Sequence, residues 1–293
     1  MAAFTLPPEM IGFYKRHIEY ITDHATDPDS RRSVIPEEAA RHYIDCDHYG
    51  AKPFDNIPIY WKEAVKKYSE DSLKAYGIVP WHIDVMMHRL TDAFKEGNVD
   101  RILKVSADIG HYIGDAHVPL HTTENYNGQL TGQKGIHGFW ESRIPELKAE
   151  GYDYFVGRAQ YIDNPLKKAW EIVKFSFSEK DSVLLMEAEL NKKFSGDKKF
   201  SFENRGGKTV KVYSAEYTNA YDQMLNRMTE RKMRASILAV GSLWYTAWVN
   251  AGQPNLDRME SREVSDSLLK ANQAEEYLWK NGKPLEKVSG HED

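Results

Sequence analysis

One cysteine, Cys46, is all that this chain of 293 residues contains, so no intrachain disulfide can form. That usage leans towards a reducing compartment and leaves a secreted bacterial protein open. Long apolar runs are missing as well. The most apolar part of the longest uncharged stretch, residues 235–250, falls short of the roughly 20 apolar residues that a membrane span needs, and it reads as a core helix. No transmembrane span is expected. No leader is visible either, because Met1-Ala2-Ala3-Phe4 runs straight into Pro7-Pro8; the chain is cytoplasmic, or its sequence is recorded without a leader. Excess positive charge is absent too. A net charge of −5 and a pI near 6.1 exclude a grip on duplex DNA by charge alone, while small phosphate substrates held by metal cations remain open. Internal repeats, Gly/Ser linkers and low-complexity runs are lacking, and strand patterns are nearly so.

What is present is a globular composition, 41% hydrophobic and 12% aromatic, enough for a sizeable core. Helical spacing of apolar residues recurs over residues 8 to about 23, near 59–75, from Pro80 to about 95, and from an Asp100 cap through His111. It recurs again from near Ile136, over about 164–179 and 182–194, and near 260–280. The longest helix is expected over about 215–251, closed by Gly252 and Pro254. Between the first two patterns, residues 26–32 read as a polar turn broken by Asp27-Pro28. Around Asn204-Arg205-Gly206-Gly207, Phe200 and Phe202 alternate on one side and Val210 and Val212 on the other, a β-hairpin signal over 198–214. The expectation is a single all-α domain over residues 1–293, with one inserted hairpin and a polar tail from about 282.

Chemistry concentrates in residues 111–141. His111 and Asp115 are four apart, His121 follows six residues later, and His137 and Glu141 are again four apart. Residues i and i+4 share a helix face, so each pair can turn an imidazole and a carboxylate towards one ion. Neutral imidazole and carboxylate both suit zinc. The Gly-, Asn- and Thr-rich segment between the pairs can fold the second back onto the first. Upstream, Asp27 and His42 add a further pair, with Asp29 as the alternative to Asp27.

The order Asp27, His42, His111-x-x-x-Asp115, His121, His137-x-x-x-Glu141 resembles the zinc-dependent phospholipase C and single-strand-specific nuclease superfamily. The densest match is the string Gly114-Asp115-Ala116-His117-Val118-Pro119-Leu120-His121; Asn125-Tyr126-Asn127-Gly128 and Trp140-Glu141 also fall where that family has similar residues. The resemblance covers about residues 10–150 and, more loosely, the long helix beyond. It implies an all-α fold around three zinc ions. Asp27, His42, His111 and Asp115 would hold one ion, and His121, His137 and Glu141 a second. Asp115 would also reach a third, which the family completes with an N-terminal tryptophan and a nearby histidine. This sequence has no Trp before Trp61 and no His before His17, so either its first dozen or so residues are missing or it is a two-zinc member.

The implied activity is hydrolysis of a phosphodiester, a phospholipid head group or single-stranded nucleic acid, with Asp27 or Asp115 orienting the attacking water as general base. In the nuclease branch, residues at the positions of Tyr43 and Asp45 bind a base; Tyr43 reads equally as a core aromatic. Glu141, where nucleases tend to have Asp, leans towards the phospholipase side. Family resemblance also implies a secreted or periplasmic protein; oligomeric state has no signal. His117 reads as a supporting or core group, His24, His48, His82 and His88 as structural, and Cys46 as a small buried hydrophobe. Lys198, Lys199, Arg205, Lys208 and Lys211, with Phe200 and Phe202, read as a solvated protruding hairpin, with contact to a membrane or a nucleic-acid strand as the alternative. Two other readings stand beside this one. A non-catalytic zinc-binding helical protein fits the missing N-terminal ligands, and a carboxylate-bridged di-iron bundle would need Glu-x-x-His spacing that the site lacks.

Overall fold

A computed structural model describes residues 1–260 and 263–282; the polar tail beyond Gly282 lies outside the described residues. The chain is mostly helical, with one two-stranded antiparallel sheet. Four long helices, Val79–Glu96, Val99–His117, Pro165–Lys193 and Met228–Asn250, pack on one another at the centre. Val99–His117 shows why. Val99, Ile102, Leu103, Ile109, Ile113 and Ala116 recur at three- and four-residue spacing and are all buried. Each fully buried Ile or Leu stabilises the fold by about 1.5–3 kcal/mol relative to exposure. The cap of this helix is Asn98, whose Oδ1 accepts from Arg101 N at 3.1 Å, and not the expected Asp100. The helix ends at His117 because Pro119 pushes Val118 out of helical geometry, to φ −79°, ψ 120°.

A second, smaller apolar cluster gathers Val118, Leu120, Ile136, Phe139, Trp140 and Ile144 against Tyr217 and Tyr221. The hairpin, Phe200–Arg205 and Lys208–Tyr213, pairs Phe200 with Tyr213 and Arg205 with Lys208. Its two-residue turn, Gly206-Gly207, has φ +57° and +80°, which glycine adopts at little cost. Arg143 ties the hairpin base to the second cluster, donating to Tyr213 O at 3.0 Å and to Glu203 Oε1 at 2.6 Å.

Several boundaries differ from expectation. The first helix breaks at His17 into Pro8–Arg16 and Ile18–Asp23, and the 59–75 helix breaks at Ser69 into Trp61–Tyr68 and Glu70–Ala75. The expected 215–251 helix breaks at Asn226 and Arg227, both at positive φ, into Ala215–Met224 and Met228–Asn250. Conversely, residues 165–193 form one uninterrupted helix. The polar turn at 26–32 is itself helical, Asp27–Arg32, with Pro28 in its first turn, where a missing N–H costs nothing. Among the described residues, no helix is long and apolar enough to cross a membrane.

Candidate metal centre

The Val99–His117 helix sets His111 and Asp115 on one face, His111 Nε2 lying 3.4 Å from Asp115 Oδ2. The other ring nitrogen, Nδ1, lies 3.0 Å from the carbonyl of Ala25, a contact that makes Nδ1 the N–H donor and leaves the Nε2 lone pair for the cluster. His42 follows the short turn Ala39–Arg41 and brings Nδ1 to 2.9 Å from Asp115 Oδ2 and 3.2 Å from His111 Nε2. On its far side, His42 Nε2 faces Glu38 Oε1 at 3.6 Å.

The third upstream carboxylate is Asp29. Its Oδ1 lies 3.4 Å from His111 Nε2 and 3.6 Å from His42 Nδ1, whereas Asp27 bonds His24 Nδ1 at 2.7 Å. The preference for Asp27 as ligand and water-orienting base is corrected by the helix: at 3.6 residues per turn, two positions are about 200° apart, so the two carboxylates face opposite ways.

The second set lies where the chain returns. His121 Nδ1 sits 2.8 Å from the carbonyl of His42, which aims Nε2 at Glu141 Oε2, 3.5 Å away. His137 Nε2 is 2.8 Å from the same oxygen. Here the backbone is not a plain α-helix: Ile136–Gly138 passes into a π-helical turn, Phe139–Arg143, which carries Glu141. Two groups of donors thus converge, Asp29, His42 and His111 in one, His121, His137 and Glu141 in the other, each with its ligand atoms within 4.8 Å of one another. Neutral imidazoles and carboxylates in such numbers fit a zinc-class cation. Asp29, His111, Asp115 and Glu141 also line a single cavity of about 340 Å³, so both groups open onto one space.

The electrostatics favour positive charge here. Burial opposes the charged form of His111, but Asp115 and Asp29 outweigh it and lift its pKa to about 9. Burial also opposes ionised Glu141, yet His121 and His137 hold its carboxyl well below the usual range. A proton occupying His111 competes with a metal for the same lone pair.

The substrate-binding expectations fare differently. Tyr43 is a core residue, 1% exposed, its hydroxyl donating to Ala75 O at 3.2 Å behind His42. Asp45 is buried close enough to His121 to feel its charge; burial first, then Asp47 and Glu124, push its pKa up to about 8. His117 bonds the carbonyl of Ile113 on its own helix at 2.7 Å, and burial holds its pKa down to about 4.

Glu38 was not anticipated. It is fully buried, accepts from the Tyr112 hydroxyl and from Arg41 Nη1, and backs His42 as an outer carboxylate. Its spacing of four before His42 was the available signal. The carbonyls of Ala25 and His42, which orient two imidazoles, leave no trace in side-chain identity. No protein-family profile, no curated protein and no solved structure matches the chain.

Proposed function

We propose that the chain is a zinc-dependent phosphodiester hydrolase of the phospholipase C-like kind, built on the helical fold of the phospholipase C and single-strand nuclease superfamily. The observation that carries the reading is the shared cavity: Asp29 and His111 of one group, Asp115 beside them and Glu141 of the other group line the same space, which suits two ions acting on one phosphate. When bound, a zinc pair supplies hydroxide at neutral pH and neutralises the phosphoryl oxygens.

The chain's own residues do the rest. Asp29, His42, His111 and Asp115 offer four donors to one ion. His121, His137 and Glu141 would hold the other. Asp115, which lines the cavity and lies 2.9 Å from His42 Nδ1, is the carboxylate we assign to orienting the attacking water and accepting its proton. Ala25, His42 and Glu38 fix the ring orientations from behind. Glu141 in place of Asp favours the phospholipid head group over single-stranded nucleic acid.

Zinc-loaded protein is expected to hydrolyse bis(4-nitrophenyl) phosphate and phosphatidylcholine vesicles, to lose both activities on chelation and to regain them with zinc. His121→Ala should lose turnover while staying folded. Preference for single-stranded DNA over vesicles would move the protein to the nuclease branch. Two bound zinc ions with no turnover on any of the three substrates would leave a non-catalytic zinc protein and overturn the proposal.

A further inference from the structure

A separate cavity of about 660 Å³ opens where the helix Asp266–Asn281 lies beside the helices Ile18–Asp23 and Asp27–Arg32. It meets the metal cavity at one shared lining residue, Thr26, and none of the metal donors lines it. Its volume suits a small organic ligand. Leu269, Asn272, Glu276 and Trp279 recur at three- and four-residue spacing, so the helix turns one face towards this space. Leu269 and the half-buried Trp279 give that face its apolar part.

The hydrogen bonds beside Asn272 run in one direction. Asp27 Oδ2, an acceptor only, lies 2.7 Å from His24 Nδ1 and takes its proton. Nε2 of the neutral ring then carries a lone pair, which accepts from Asn272 Nδ2 at 3.1 Å. The same amide nitrogen donates to the Tyr20 hydroxyl at 3.1 Å. Both of its N–H bonds are therefore used, which assigns the orientation of the amide. The other arm, Oδ1, is buried without a hydrogen-bond partner, on a residue only 8% exposed. Buried polar atoms are nearly always bonded, so an acceptor left open on a cavity-lining residue marks a place for a donor.

Charge selects the kind of donor. Asp23, Asp27 and Glu276 line the cavity against a single lysine, Lys280. The Lys280 side chain is 70% exposed and already held by Glu276, whereas that of Asp27 is 13% exposed. The deep groups, Asn272 and Asp27, are thus acceptors, and the lysine stands outermost. A bare metal ion is a poorer fit, because among the described residues these carboxylates and His24 form no group of three with ligand atoms within 4.8 Å. Acceptors spread over a cavity suit a cation with several N–H donors and a body of its own. We propose that this cavity binds a small primary ammonium ion, its N–H donors on Asn272 Oδ1, its charge balanced by Asp27 and Asp23, and its apolar body against Trp279 and Leu269.

The test is titration of the whole, zinc-loaded chain with 2-phenylethylamine, read by calorimetry and by the Trp279 indole N–H signal in NMR, assigned with Trp279→Phe. Saturable binding that shifts this signal is expected. Trimethyl(2-phenylethyl)ammonium, a cation without N–H, and 3-phenylpropanoate, an anion, should each bind at least about tenfold more weakly, the scale of a lost charge-assisted hydrogen bond. Calcium alone should leave the signal in place. Asn272→Leu should weaken the amine by a similar factor. Leu269→Trp, at a 43% exposed wall position, should block the cavity with zinc content and circular dichroism unchanged. Absence of saturable binding at millimolar amine would overturn the proposal. So would the quaternary cation or the anion binding as well as the amine, calcium shifting the signal as the amine does, or unaltered binding by both variants.

Discussion

Asp27 and Asp29 stand two positions apart on one short helix, and that is enough to separate a residue holding His24 from one facing His42 and His111. Asp29→Asn is expected to lose the ion of the His42–His111 group, and Asp27→Asn to keep both; zinc content by mass spectrometry of the two variants distinguishes them. Equal retention in both would contradict the placement. Glu38 acts through His42. Glu38→Gln should weaken zinc binding about 10–100-fold, the usual loss when a ligating histidine loses its outer carboxylate, as read by competition with a chromophoric chelator. His82 gives a pH signature. Its imidazole titrates near 6.5 when unfolded and near 3 when folded, so between those values the unfolded chain binds more protons. Its contribution to stability is complete above about pH 6.5 and is lost as pH falls towards 3, at about 1.4 kcal/mol per pH unit at most. His82→Phe should flatten the urea midpoint between about pH 7 and pH 4, and an unchanged slope would contradict this.

Among the elements, the turn at Gly77, packed on the Tyr43 backbone next to His42, is a tight one. Gly77 has φ +88°, and a Cβ there would lie 2.2 Å from the Tyr43 carbonyl oxygen. Gly77→Ala should cost about 1–3 kcal/mol in denaturant unfolding, with weaker zinc binding because Tyr43 adjoins His42. A stability equal to the parent's would show that the turn relaxes. Helix existence was legible from apolar spacing, and the hairpin from its alternation around Gly206-Gly207. The helix breaks were not, because Ser69, Asn226 and Arg227 take positive φ without glycine, and no local residue type announces it. The π-helical turn under Glu141 was also hidden: four-residue spacing of His137 and Glu141 reads as α-helix whichever way the backbone bonds.

On the scale of the whole molecule, the sequence carried the donor set but not its assembly. His111, Asp115, His121, His137 and Glu141 stand close together along the chain, and helix periodicity accounts only for the pairing of His111 with Asp115. Asp29, His42 and Glu38 come from a distant segment of one short helix and short turns, whose helical character the Asp27-Pro28 pair concealed. Tyr43 was open to either reading, and burial assigns it to the core.

The central claim is that two ions sit side by side over one cavity. Anomalous diffraction from zinc-loaded crystals, collected on both sides of the zinc absorption edge, tests it most directly. The account predicts one peak among Asp29, His42, His111 and Asp115 and a second among His121, His137 and Glu141, both facing the shared cavity. No peak at either group under zinc supplementation, or a single ion bound elsewhere on the chain, would contradict it.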